Sequence, residues 1–145
     1  MSSGIIVAAR TLLIVKPDAV ARNVVGEILK FVEEKGFRIV RTEMMTLTGA
    51  QAAEFYAVHR ERQFFPDLID FMTSGPSVPT VLEREDAVST LREVVGATDP
   101  TRAAEGTIRK AFGSNVQENA VHASDSPENG VQEITFFFGE GAVSS

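Results

Sequence analysis

Thr11-Leu12-Leu13-Ile14-Val15-Lys16-Pro17-Asp18 is a short apolar run halted by a lysine and a proline. Proline has no N–H to lend to a ladder, so a strand closes here and Lys16 stands at its exit. Working outward, the apolar Val25, Ile28, Leu29 and Val32 recur at helical spacing between Val24 and Lys35, and Gly36 follows as a stop, which predicts a core-facing helix. Phe37 to Met45 is rich in β-branched and long apolar residues and predicts a second strand, its alternation interrupted at Arg41. A helix capped by Thr48 is expected to run to Val58, and Phe65, Leu68, Ile69 and Met72 give the apolar face of another, ended by Gly75-Pro76. Ser77 to Leu82 predicts a third strand, in which Pro79 requires an edge position or a bulge. Val88, Leu91 and Val95 mark a further helix closed by Gly96. From Ala97 to Glu118 no period is sustained, and so long a loop in a small domain is usually functional. Ala120-Val121 is a candidate last strand, and Ser126-Pro127 caps a final helix reaching Phe138. The order β, α, β, α, α, β, α, loop, β, α suits an α+β sandwich, with helices on one face of a small, mostly antiparallel sheet in the split βαβ arrangement.

The totals agree with one compact unit. The chain has 145 residues, 43% of them hydrophobic, enough for a single core. We expect a flexible leader over residues 1–9, one domain over 10–139 and a short tail over 140–145. Without cysteine there are neither disulfides nor thiolate ligands, so the cytoplasm is the expected setting. The apolar patch Gly4 to Ala9 is too short to span a bilayer, and a formal charge of -6 disfavours a broad grip on nucleic acid.

Several common sites are absent by spacing: GxxxxGK[ST], GxGxxG, HExxH and GxSxG. Attention falls on Asn119-Ala-Val-His122-Ala-Ser124-Asp-Ser126, where one of only two histidines precedes a helix start. Neutral imidazole is a competent nucleophile near pH 7, and a carboxylate on its second nitrogen fixes the tautomer. Glu133 is a candidate for that carboxylate, with Ser124 as a relay. The same run also reads as a richly capped helix start, and Ser124, Asp125 and His122 are too crowded for a hydrolytic triad. Lys16, Arg92 and Arg109 would suit a polyphosphate if they converge, although each alone reads as surface. Phe64 or Phe65 can offer a face to a base. His59, set among Arg60, Glu61 and Arg62, reads as exposed and without a role.

Taken in order, Lys16-Pro17-Asp18, Arg62-Gln63-Phe64-Phe65, Ser74-Gly75-Pro76, Gly106-Thr107-Ile108-Arg109 and the Asn119 to Ser126 cluster resemble nucleoside diphosphate kinase, over about Arg10 to Phe138. The resemblance implies a ferredoxin-like α/β sandwich. It also implies a ping-pong transfer of the γ-phosphate from a nucleoside triphosphate to a nucleoside diphosphate through a phosphohistidine on His122. Lys16 and Asn119 would contact the sugar hydroxyls, with Lys16 also reaching the moving phosphoryl group. Phe64 would stack under the base with Val116 opposite, and Arg92, Thr98 and Arg109 would hold the phosphates. Tyr56 would pack beside the histidine, while Glu133 and Ser124 orient it. Mg²⁺ would be chelated largely by the nucleotide, with no dedicated protein ligands, and the chain would form a homo-oligomer, a hexamer before a tetramer.

Departures from the family pattern are Ala123 for glycine, Gln63 for proline, Arg84 for glycine and Ala111 for aspartate, with Pro79 also unusual. A need for φ > 0 at position 123 would strain an alanine there. Rival readings are a catalytically silent nucleotide-sensing scaffold, opposed by the presence of His122, Lys16, Arg92, Arg109, Asn119 and Glu133, and a nucleic-acid-binding regulator, opposed by the acidic balance. Arg109, placed on phosphate in an exposed cleft, is expected to matter far more to turnover than to stability.

Overall fold

The computed structural model describes residues 8–144. Four strands, β1 (Ala9–Val15), β2 (Arg38–Thr42), β3 (Val78–Arg84) and β4 (Val121–Ala123), form one sheet in the order β2-β3-β1-β4. All three pairings are antiparallel. The helices are α1 (Pro17–Ala21), α2 (Val25–Glu34), α3 (Gly49–Phe55), α4 (Phe65–Met72), α5 (Ala87–Val95), α6 (Ile108–Phe112) and α7 (Pro127–Phe138). This is the ferredoxin-like α+β sandwich, with α3 and α4 inserted as a helical hairpin. Seven residues of the leader expected over 1–9 lie outside the described range, and Ala9 already belongs to β1. Past α7, Glu140–Ala142 forms a 3₁₀ turn whose Ala142 is buried against Leu12 and Ile14.

Helices cover both faces of the sheet, not one as the sequence suggests. On one side Leu13, Val15 and Leu82 pack with Ile28 and Val32 of α2 and Leu91 of α5. On the other Leu12, Ile14 and Val81 pack with Ile134 of α7. β1 is therefore apolar at successive positions, because both of its faces are covered. A third cluster joins α3 and α4 through Leu47, Ala52, Tyr56 and Met72, and Phe137 of α7 packs against it. That contact hangs the α3–α4 hairpin beside β4.

Pro79 sits in β3, an inner strand, so the expected edge position does not hold. Ser77 and Met45 exchange two backbone bonds on the β2 side at 2.7 and 2.9 Å, and two residues on, Glu43 N–H donates to the Pro79 carbonyl at 3.2 Å. Proline has no reciprocal N–H to give, so the ladder is interrupted between Thr42 and Met45, and the strand expected to run from Phe37 to Met45 is split. The register shift lies at Ile39/Arg41, where the alternation breaks. Two short helices occupy segments without a visible period. Pro17 starts α1 from its first position, and Thr107 caps α6 by accepting the Lys110 N–H at 3.3 Å, so the loop of 97–118 is partly helical. The helix expected to reach Val58 ends at Phe55 and continues as a 3₁₀ turn, Ala57–His59. Caps at Thr48 and Ser126 form as the sequence predicts.

Candidate active site

Side chains alternate across a strand, and with Val121 and Ala123 of β4 turned into the core, His122 faces the opposite side, toward α7. There its Nε2 lies 2.9 Å from Glu133 Oε1. Ser124 Oγ donates to the same oxygen at 2.7 Å and itself accepts the Leu12 N–H at 3.3 Å. A carboxylate only accepts, so Nε2 carries a proton, and in the neutral ring Nδ1 is the nitrogen that keeps its lone pair. Ser124 is no relay between the two, since both donors meet one oxygen, and this engagement also rules it out of a triad. The rings of Phe55 and Tyr56 stand steeply to the imidazole, at 73° and 88°, with centroid distances of 5.4 and 6.2 Å. Burial, aided by Glu133, raises the Tyr56 hydroxyl far above its usual range and keeps it a proton donor.

β4 is an edge strand, so the carbonyls flanking His122 need other donors. Arg109 of α6 gives Nη2 to Val121 O at 2.9 Å and Nη1 to Gly96 O at 3.1 Å, and Arg92 of α5 reaches Ala123 O at 3.5 Å. Two guanidiniums thus lie beside the imidazole strand. Arg109 is only 5% exposed and its Nε meets no partner among the described residues, so the side chain is buried where the sequence led us to expect exposure. Its burial, then the facing Arg92, bring its pKa down to about 10, leaving it charged at neutral pH. Lys16 at the β1 exit is also buried, with Nζ donating to Asn119 Oδ1 at 2.9 Å and to Gln117 O at 2.8 Å. Desolvation lowers its pKa to about 8, with Asp18 opposing the shift and Arg109 adding to it. Asn119 in turn donates Nδ2 to Thr98 O at 3.0 Å.

At the other end Phe64, just before α4, leaves 46% of its surface exposed, and Val116 is 57% exposed. His59, which the sequence presents as exposed and without a role, is half-buried, packs between Tyr56 and Phe64 at centroid distances of 6.5 and 5.4 Å, and lines the same space. Its place three residues after Tyr56 is the only signal the sequence offers. Ala123 has no positive φ and lies in extended β4, so the alanine departure carries no backbone strain. Arg84 covers Phe37 with its guanidinium 5.4 Å from the ring centre, away from the site.

His122, Glu133, Tyr56, Lys16, Arg92, Arg109, Asn119, Phe64 and Val116 line one cleft of about 910 Å³, and Ser124 stands behind Glu133. That volume suits a small ligand. One end is cationic and holds the imidazole, and the other offers an exposed aromatic face, as a polyphosphate attached to a flat ring system requires. Among the described residues no three His, Cys, Asp or Glu gather where they would hold a metal.

The chain is similar to known proteins in sequence and in fold. A family model described as nucleoside diphosphate kinase matches residues 9–143. The nucleoside diphosphate kinase of Salinibacter ruber is 53% identical over 134 residues, covering 92% of this chain and 94% of that protein. That of Persephonella marina is 55% identical over 129 residues, covering 89% and 92%. A solved structure of the Aquifex aeolicus nucleoside diphosphate kinase superposes with a TM-score of 0.88 at 47% identity, covering 94% of this chain and 99% of that one. With a family match across nearly its whole length, and with His122 and Glu133 sharing one cleft with Lys16, Arg92 and Arg109, the chain belongs to the nucleoside diphosphate kinase family.

Proposed function

We propose that this protein moves the γ-phosphoryl group of a nucleoside triphosphate, commonly ATP, to a nucleoside diphosphate in two half-reactions within one cleft. The Nδ1 lone pair of His122 attacks the γ-phosphorus, the bond from that phosphorus to the bridging oxygen breaks, and the diphosphate leaves with the electron pair. A second diphosphate then recovers the phosphoryl group by the reverse step. The observation that carries this reading is the 2.9 Å contact between Nε2 and Glu133, which leaves the other ring nitrogen unprotonated. Arg92, Arg109 and Lys16 meet the charge on the transferred oxygens, Thr98 adds a hydroxyl, and Tyr56 presents its O–H beside the imidazole. Lys16 and Asn119 take the sugar hydroxyls, and Phe64 and Val116 hold the base. Stacking is indifferent to base identity, so broad nucleotide acceptance follows.

Mg²⁺ fits as a passenger on the nucleotide: the chain supplies no carboxylate cage of its own among the described residues, and the phosphates supply the oxygens. When bound it shields phosphate charge. We also propose a homo-oligomer, hexameric before tetrameric, on the open outer edge of β2, and a cytoplasmic setting, on the lack of cysteine. Among the described residues no helix is long and apolar enough to cross a membrane.

Initial rates with ATP and a second nucleoside diphosphate varied together test the mechanism. Parallel double-reciprocal lines are expected, with His122→Ala slowing transfer by more than about a thousandfold. Intersecting lines would rule out the covalent relay.

A further inference from the structure

Asn119, Ala120 and Val121 form a three-residue turn closed by Val121 N–H donating to Asn119 O at 2.9 Å, with Ala120 at φ 74. A γ-turn of this hand is rare and strained, and alanine has no side-chain means of supporting it. Ala120 is completely buried, and both of its backbone groups are held from the β1 exit. Lys16 N–H donates to its carbonyl at 2.9 Å, and Asp18 Oδ2 accepts its N–H at 3.0 Å. The turn has Asn119, the side-chain partner of Lys16, on one side and Val121-His122 on the other. Asp18 is itself buried, and its Oδ1 meets no donor among the described residues. A half-satisfied interior carboxylate is costly. What it supplies that an apolar side chain could not is an acceptor for an amide that the strained turn would otherwise bury unpaired.

We propose that Asp18 is a positioning residue that clamps the strained turn at Ala120 and so holds Asn119 and His122 in register across the cleft. The proposal rests on the phosphotransfer function argued above. Without the clamp, Ala120 relaxes toward negative φ and the segments on either side of it rotate. Glycine at position 120 adopts φ near +74° without strain, so it lessens the need for the clamp.

Four variants in the full chain decide the matter: Asp18→Ala, Asp18→Asn, Ala120→Gly, and Asp18→Ala with Ala120→Gly. We expect Asp18→Ala to lower kcat by about tenfold or more at temperatures where it stays folded, since small misplacements cost that much. Asp18→Asn, which keeps an acceptor oxygen, stays within about threefold of wild type, and the double variant recovers at least about threefold over Asp18→Ala. A purely structural aspartate would lower Tm without that rescue of kcat. Equal kcat in Asp18→Ala and the double variant, or wild-type kcat in Asp18→Ala, overturns the proposal. Amide exchange at Ala120, read by NMR without substrate, separates the clamp from the chemistry. It quickens about tenfold or more in Asp18→Ala but not in Asp18→Asn, and equal rates in all variants overturn the clamp. If the wild type takes no phosphate from ATP, the kinase function falls, and the exchange comparison still decides the clamp.

Discussion

At the scale of single residues, Lys16 links activity to pH. Burial holds its pKa near 8, and a bound polyphosphate favours the charged ammonium, so kcat/KM falls as pH rises through about 8 while the limb for kcat lies higher. Stability moves the other way. Between about 8 and the ordinary lysine value of about 10.4 the unfolded chain binds the extra proton, so the Lys16 contribution to stability increases with pH across that window. A pH–rate profile beside urea titrations at the same pH values checks this, and parallel loss of rate and stability above pH 8 would refute it. Arg109 carries a second expectation, revised by its burial. With two carbonyls depending on it, Arg109→Ala loses stability as well as turnover, by about 2 kcal/mol or more. A variant melting like wild type would show that those carbonyls find other partners. Phe64→Ala raises KM for purine and pyrimidine diphosphates alike, by roughly 5- to 150-fold from a stacking loss of about 1–3 kcal/mol. An effect confined to one base would mean that the ring reads identity.

At the scale of elements, the junction of α5 and α6 carries Arg92 and Arg109, the cations proposed to meet the phosphates, and one glycine sets its spacing. Gly96 has φ 90, and a Cβ there would stand 2.7 Å from Thr107 Oγ1, the cap of α6. Gly96→Ala is therefore predicted to cost about 2 kcal/mol or more in urea unfolding and to lower kcat by displacing Arg109. Normal stability would place the α5–α6 contact outside the account. The same elements mark the limit of what the sequence discloses. α2, α5 and α7 are legible because each carries its apolar stripe over nine or more residues between a start and a stop. α1 and α6 are five residues each, too short to display a 3.6 period, and only Pro17 and the Thr107 cap announce them. The site was legible as a set of residue types in motif order. The burial of Lys16 and Arg109, the share of Glu133 taken by Ser124 and the place of His59 were not, because each depends on contacts between distant parts of the chain. The second covered face of the sheet was missed for the same reason: nothing local to β1 says what lies above it.

At the scale of the whole molecule, the sheet and its two helical layers form a frame, and the cleft opens where the α3–α4 hairpin hangs beside β4. Leu12, fully buried under α7, belongs to that frame and lies far in sequence from the hairpin. Leu12→Ala should cost about 2–5 kcal/mol of stability with little change in KM. Sedimentation should give a multiple of the 15.7 kDa chain, a hexamer by this account, and a monomer at micromolar concentration would remove the role given to the β2 edge. In the proposed relay, the contact of Glu133 with Nε2 leaves Nδ1 to receive the phosphoryl group. Phosphorus–nitrogen NMR of the protein incubated with ATP and Mg²⁺ measures this directly, with an acid-labile phosphate bonded to His122 Nδ1 predicted for wild type and none for His122→Ala. Phosphate on Nε2, on another residue, or on no residue would contradict the account.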